Sequence, residues 1–336
     1  MALLGCAMLA ACVPRVDSVR APTSRFVYSP YKHVAVGWRD DAPAVATAVT
    51  GAWTPLAEDA RSHLPAGVNA VTLAFATGEC GAERWDDVDA ADVARAIVPA
   101  FVRAGIDYVV STGGEAGTFT CQSDDGMEAF VARYDSPRLI GFDFDIERGQ
   151  SDAVLDALAQ RIGAAQRRHP ALRFSVTLAT WAGSDETRAS LNTDGMRVLD
   201  ALRRAGVADY LVNLMVMDYG EARRGNCVLD GAVCDMGRSA IQAARNLHDR
   251  FGVPLARVEL TPMIGVNDVV SNVFTLDDAR TVARFAREAG LAGVHFWSLD
   301  RDVACPGNAH SVSSLCHGMP GLAPFAYAVT FRDALR

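Results

Sequence analysis

In the stretch Ile140-Gly141-Phe142-Asp143-Phe144-Asp145-Ile146-Glu147, apolar and acidic side chains alternate with a period of two. That is the repeat of a β-strand, so Asp143, Asp145 and Glu147 share one face of it. The apolar run from Leu139 that leads into them marks a buried strand rather than an edge hairpin. Carboxylates lined up on a buried strand are costly unless a site uses them, and their natural use is acid–base chemistry. The competing reading is a solvated face on an amphipathic edge strand. Burial and neighbouring negative charge would raise the pKa of such acids, as a general acid near neutral pH requires.

The elements that must position this ladder repeat along the chain as a short apolar or β-branched strand, a polar or glycine-containing loop, then a helix. Strands are expected at Val34–Trp38, Ala70–Phe75, Tyr108–Thr112, Leu139–Asp145, Arg173–Leu178, Tyr210–Met217, Val258–Thr261 and Gly293–Trp297. Helices are expected at Ala91–Ala104, Asp152–Arg168, Thr193–Ala205, Ser239–Phe251 and Leu276–Ala289, several of them stopped by a glycine, as at Gly105, Gly206 and Gly290. Alternation of this kind predicts an α/β fold with a parallel sheet. Eight units over about 300 residues predict closure into a TIM (β/α)8 barrel. The Arg39-Asp40-Asp41-Ala42-Pro43 segment after the first expected strand is no dinucleotide-binding turn, which argues against an open sheet. In a barrel the acid ladder ends the fourth strand, at the face where barrel enzymes place their catalytic groups.

Asp143-x-Asp145-x-Glu147 resembles the catalytic strand of family 18 glycoside hydrolases, the chitinases, where it closes an Asp-x-x-Asp-x-Asp-x-Glu signature; the outermost Asp of that signature falls at Ile140. Further residues carry the resemblance. Ser111-Thr112-Gly113-Gly114 is similar to the family's Ser-x-Gly-Gly, with Gly113 letting backbone pack close beneath the site. Met217-Asp218-Tyr219 matches a Met-x-Tyr pattern with Gly220 in place of the following acid, which favours Tyr219 as the functional residue. A second register aligns Asp218 with the family's Asp and puts Met217 where the Tyr belongs. Trp297, ending the eighth strand, matches the Trp that floors the sugar subsite. Trp181, beyond the fifth strand, is the best placed of the other stacking candidates, ahead of Trp38, Trp53 and Trp85. Asn267 and Asp268 could hydrogen-bond sugar hydroxyls.

The resemblance implies an exported chitinase acting on chitin or N-acetylglucosamine oligosaccharides with β-1,4 linkages, by a substrate-assisted, retaining mechanism. The substrate's acetamido oxygen would be the nucleophile. Glu147 would be the general acid and base, Asp145 would orient the acetamido group, Asp143 would share a proton with Asp145, and Tyr219 would position the attacking carbonyl. No metal or organic cofactor is required. Other readings are an endo-β-N-acetylglucosaminidase acting on glycoprotein glycans, or a non-catalytic chitin-binding lectin. Neither Gly-x-Ser-x-Gly nor His-Glu-x-x-His occurs, so serine hydrolase and zinc protease chemistries have no foothold.

Composition sets the outer bounds. With 336 residues, 50% hydrophobic and 21% charged, the chain can bury a large core, and a net charge of −8 argues against nucleic acid or an acidic membrane surface as partner. A monomer is expected. The apolar start, Met1 to Cys12, has the character of an export signal, and Leu9-Ala10-Ala11-Cys12 resembles a bacterial lipobox that would lipidate Cys12 as the only membrane attachment. Residues 1–29 are therefore expected to be signal and tether, and residues 30–336 the catalytic barrel. Cys6 and Cys12 aside, six cysteines remain, an even number that favours disulfides. Local spacing suggests Cys227–Cys234 and Cys305–Cys316, leaving Cys80 with Cys121; zinc held by Cys305, His310, Cys316 and His317 is the alternative.

Overall fold

A computed structural model of the protein describes residues 25–336 apart from 116, 148 and 309. The expected signal segment, with Cys6 and Cys12, lies outside the described residues. Parallel strands close into one barrel: β1 in two segments, Val27–Tyr28 and Tyr31–His33, then β2 Ala70–Ala76, β3 Asp107–Gly113, β4 Leu139–Asp145, β5 Arg173–Ala179, β6 Leu211–Met215, β7 Val258–Thr261 and β8 Gly293–Val294. Neighbours follow chain order. The ring closes because the first segment of β1 pairs with β8 and the second with β2.

The helices are α1 Ala90–Ala104, α2 Asp124–Tyr134, α3 Asp152–Arg168, α4 Thr193–Arg204, α5 Met236–Phe251, α6 Leu276–Glu288 and α7 Ala326–Leu335. Each of α1 to α6 starts on a side chain that accepts a backbone N–H of the first turn: Asp89, Ser123, Ser151, Asn192, Asp235 and Thr275. Such a cap contributes about 1 kcal/mol. The connection from β1 to β2 departs from the repeat. Its described residues form short ribbons, Ala46–Thr47 with Thr54–Pro55 and Ala57–Glu58 with Arg61–Ser62, in place of a helix.

The alternation in β4 does what its period requires. Phe142 and Phe144 point outward, where their rings meet Phe130 of α2 at 4.9 Å and Phe119 at 5.9 Å. The acids between them therefore face the barrel interior. On α3, Leu155, Leu158, Ala159 and Ile162 form the buried stripe of an amphipathic helix. They meet Ile146, Val176 of β5 and Val198 of α4. Burying each of the larger side chains stabilises the fold by about 2 kcal/mol.

Two sequence expectations need correction. The first strand is not Val34–Trp38 but the segment before it, and residues 34–37 form a turn. Lys32 hides the true strand, because a lysine signals solvent while this one is fully buried by pairing with Asp300. The expected domain start at residue 30 consequently falls inside β1. Helices α2 and α7 were not anticipated, although Met127, Phe130, Val131 and Tyr134 in α2 keep helical spacing on a buried face.

The cysteines pair as Cys80–Cys121, Cys227–Cys234 and Cys305–Cys316. This removes the zinc alternative, since Cys305 and Cys316 are bonded to each other. All three bridges sit in loops at the carboxyl-terminal end of the barrel, after β2 and β3, after β6 and after β8. Cys80–Cys121 spans 41 residues, a loop whose closure entropy is worth about 4 kcal/mol. Replacing both cysteines by alanine should lower the thermal midpoint by several degrees, measured by calorimetry; an unchanged midpoint would show that the bridge contributes nothing.

Candidate active site

Asp143 sits at the centre of the barrel and is almost wholly buried. Its Oδ2 accepts hydrogen bonds from Tyr31 OH of β1 (2.9 Å) and Ser111 Oγ of β3 (2.6 Å). Its Oδ1 accepts from Ser175 Oγ and Thr177 Oγ1 of β5, both at 2.7 Å. Asn213 of β6 extends the network: its Nδ2 donates to Tyr31 OH (3.0 Å) and Thr177 Oγ1 (2.9 Å), and its Oδ1 accepts from Thr261 Oγ1 of β7 (2.8 Å). Hydroxyl donors thus do at Asp143 what water would do outside.

One step up β4, Asp145 lacks that support. Its Oδ1 is buried without a hydrogen-bond partner. Burial raises the pKa of both carboxyls, but the hydroxyls of Ser111, Ser175 and Thr177 oppose the rise at Asp143, whereas the negative charges of Glu147 and Asp143 add to it at Asp145. The upward push is therefore stronger at Asp145 than at Asp143. Glu147, just past the strand end, is half-buried. The backbone beneath is tight. Gly113 adopts φ +84°, and a Cβ there would lie 2.1 Å from the Asp145 carbonyl oxygen, so a side chain cannot be accommodated.

Above these acids lies a cleft of about 300 Å³ at the carboxyl ends of the strands. Asp145, Glu147 and Glu115 line it with Tyr31, and Trp297 and Phe75 form a stacked aromatic surface, their centroids 5.6 Å apart and planes at 17°. Trp181, Asn192, Met215, Met217, Asp218 and Asp268 complete the walls. A larger hollow of about 460 Å³ lies at the opposite end of the barrel, lined by Arg25, Arg173, Arg332 and Arg336 among others. It contains none of the ladder acids, so the smaller cleft is the candidate site.

Of the residues singled out in the sequence, the cleft brings together Glu147, Asp145, Trp297, Trp181, Met217 and Asp268. Asp143 lies underneath and acts through its neighbours. Gly113 supports the backbone and does not line the cleft. Tyr219 is corrected outright: it is fully buried in the hydrophobic core, and its hydroxyl has no partner. The cause is Asp218, whose φ of +51° breaks the strand alternation and turns the following side chain away. Met217 and Asp218 line the cleft instead. Asp218 Oδ1 accepts the Val269 N–H at 2.7 Å, and burial raises its pKa. Asn267 is structural, its Nδ2 bound to the carbonyls of Met263 and Gly265. Trp85 is a core residue donating to Tyr134 OH. Tyr31, Phe75, Glu115, Ser175 and Thr177 were missed, although the inward alternation of β5 points to Ser175 and Thr177.

No protein-family model matches the chain. A probable bifunctional chitinase/lysozyme of Escherichia coli (strain K12) is 32% identical over 236 residues, which is 66% of this chain and 26% of that protein. Endochitinase 11 of Metarhizium anisopliae is 29% identical over 308 residues, 86% of this chain and 55% of that protein. The chain thus spans about a quarter and about half of the length of these two relatives. Among solved structures, the catalytic domain of a hyperthermophilic chitinase from Pyrococcus furiosus superposes with a TM-score of 0.68 at 24% identity, covering 94% of this chain and 96% of that one. Catalytic-site mutants of that chitinase's active domain 2 have been solved with chito-oligosaccharides. Taken with the acid ladder, these likenesses support a chitinase-like protein of glycoside hydrolase family 18.

Two outcomes test the geometry of the site. Tyr219→Phe removes a buried hydroxyl that has no partner, so stability to urea should rise by about 1 kcal/mol; a loss would mean that the hydroxyl is bonded after all. Asp145 has a folded-state pKa above its unfolded value, so the stability it contributes is present in acid and is lost as pH rises through the folded pKa. Asp145→Asn should accordingly melt higher than the parent at pH 8, and the gap should shrink toward pH 4. A gap independent of pH would refute the raised pKa.

Proposed function

We propose that the chain is a chitinase hydrolysing β-1,4 linkages between N-acetylglucosamine units, with retention and with the substrate's own acetamido oxygen as nucleophile. One observation carries the reading: Asp145 and Glu147 open together into a cleft with an aromatic surface, above a third acid that hydroxyls keep solvated. A two-carboxylate mechanism needs acids on opposite sides of the scissile bond. Asp145 and Glu147 come from one strand end and share one side, so this pair cannot flank the bond as acid and nucleophile, which favours the acetamido oxygen in that role.

The roles follow from the surroundings. Glu147 gives its proton to the leaving oxygen as the acetamido oxygen attacks the anomeric carbon, and later takes one from the water that opens the cyclic intermediate. Asp145 presents a buried, unpartnered oxygen, suited to accept the acetamido N–H. As positive charge grows on that group, the carboxyl proton of Asp145 can pass to the Asp143 carboxylate, leaving the negative charge on Asp145 beside the intermediate. Trp297 supports the apolar face of the sugar. Asp218, rather than Tyr219, faces the substrate from β6.

Export belongs to the same proposal, with or without a lipid at Cys12. Three disulfides support it, because such bonds persist in oxidising compartments.

Glu147→Gln retains the shape of the side chain and removes its acid. Release of reducing ends from an N-acetylglucosamine hexamer should fall by about two to four orders of magnitude, while binding of the hexamer persists. Undiminished hydrolysis would remove Glu147 from the mechanism. Binding by the parent without any hydrolysis would instead make the protein a lectin.

A further inference from the structure

Lys32 is the only lysine in a chain with 32 lysines and arginines together. It is also completely buried. A buried ammonium is costly unless its protons all find acceptors and a counter-charge stands close. Both conditions are met. Nζ donates to Asp300 Oδ2 (3.0 Å), to the Val36 carbonyl (2.8 Å) and to the His33 carbonyl. Three acceptors around one point suit the three donors of an ammonium, whereas the flat fork of a guanidinium cannot converge on them. In a chain that otherwise uses arginine, the geometry accounts for the exception.

The pair stands at the barrel seam, just above the backbone links between β1 and β8. Those links extend to Tyr31 N and the Phe296 carbonyl (3.0 Å). One residue further on, Lys32 reaches Asp300 in the turn Leu299–Arg301, three residues beyond Trp297. Its neighbours on the strand serve the site directly: Tyr31 donates to Asp143, and the His33 ring lies 6.3 Å from that of Trp297.

We propose that the Lys32–Asp300 pair is a positioning device that fixes Trp297 over Asp145 and Glu147 by tying the turn after β8 to β1. This rests on Trp297 as the sugar floor in the function proposed above. Placement of that floor sets turnover, because small displacements at a reacting centre are expensive in rate.

The test separates positioning from stability. Lys32→Met alone strands the Asp300 charge and should lower both the melting temperature and kcat. The double variant Lys32→Met/Asp300→Leu removes both charges, a replacement that commonly leaves stability intact. Its melting temperature should return close to that of the parent, while kcat on the N-acetylglucosamine hexamer stays about tenfold or more down and KM moves by less than about threefold. Its crystal structure should show the Trp297 ring displaced relative to Asp145. Recovery of kcat together with melting temperature, or a Trp297 ring superposing on that of the parent, overturns the proposal. Should the double variant not fold, Asp300→Asn serves: a several-fold loss of kcat at unchanged KM supports positioning, and an unchanged kcat refutes it. A parent that cleaves no N-acetylglucosamine oligomer sinks the proposed function alone, since the place of Trp297 in the double-variant crystal still decides the role of the pair.

Discussion

A carboxylate at the centre of a closed barrel has no water to solvate it, and this constraint organises the molecule. Asp143 meets it with hydroxyls from Tyr31, Ser111, Ser175 and Thr177, contributed by strands on both sides of β4 and by β1 across the barrel. None of these donors carries charge. They stabilise the anion without neutralising it, so the electrostatic influence of Asp143 on the acid above is preserved.

The lower level of the barrel solves the same problem differently. There Glu259 is buried against Arg173 and His295, and although burial would raise its pKa, those partners hold it at about 2. Charge is cancelled at the base and retained near the mouth. The difference leaves Glu259 as a fixed structural anion, while burial pushes the pKa of Asp143 and Asp145 up. The carboxyls with raised pKa thus lie toward the open end, where perturbed groups commonly mark a functional site.

The loops above the barrel follow a consistent plan. Each disulfide sits in a connection at the end of the barrel that carries the cleft, while the connection without a helix, between β1 and β2, starts at the seam where Lys32 and Asp300 meet. Cross-links and a buried ion pair thus act at the end where side chains must keep fixed places. At the opposite end the buried Glu259 cluster with Arg173 and His295 joins strand pairing and helix packing.

What could be read directly from the residues was whatever depends on neighbours in the chain. The period of two over 140–147 determined that Phe142 and Phe144 face the helices and the acids face inward, because side-chain direction in a strand is a local property. The alternation of strands and helices pointed to the barrel, and local spacing to Cys227–Cys234 and Cys305–Cys316, while the zinc alternative fell only to the observed pairing. Tertiary structure alone decided the rest. Tyr31, Ser111, Ser175 and Thr177 meet one carboxylate only because the sheet closes, and nothing local marks a tyrosine 112 residues away as its partner. Lys32 can be buried only because Asp300, 268 residues on, is brought to it. Tyr219 looked like a site residue until a single left-handed φ at Asp218 reversed its direction. Pairing across the barrel and one backbone torsion are not periodic, so no pattern in the sequence announces them.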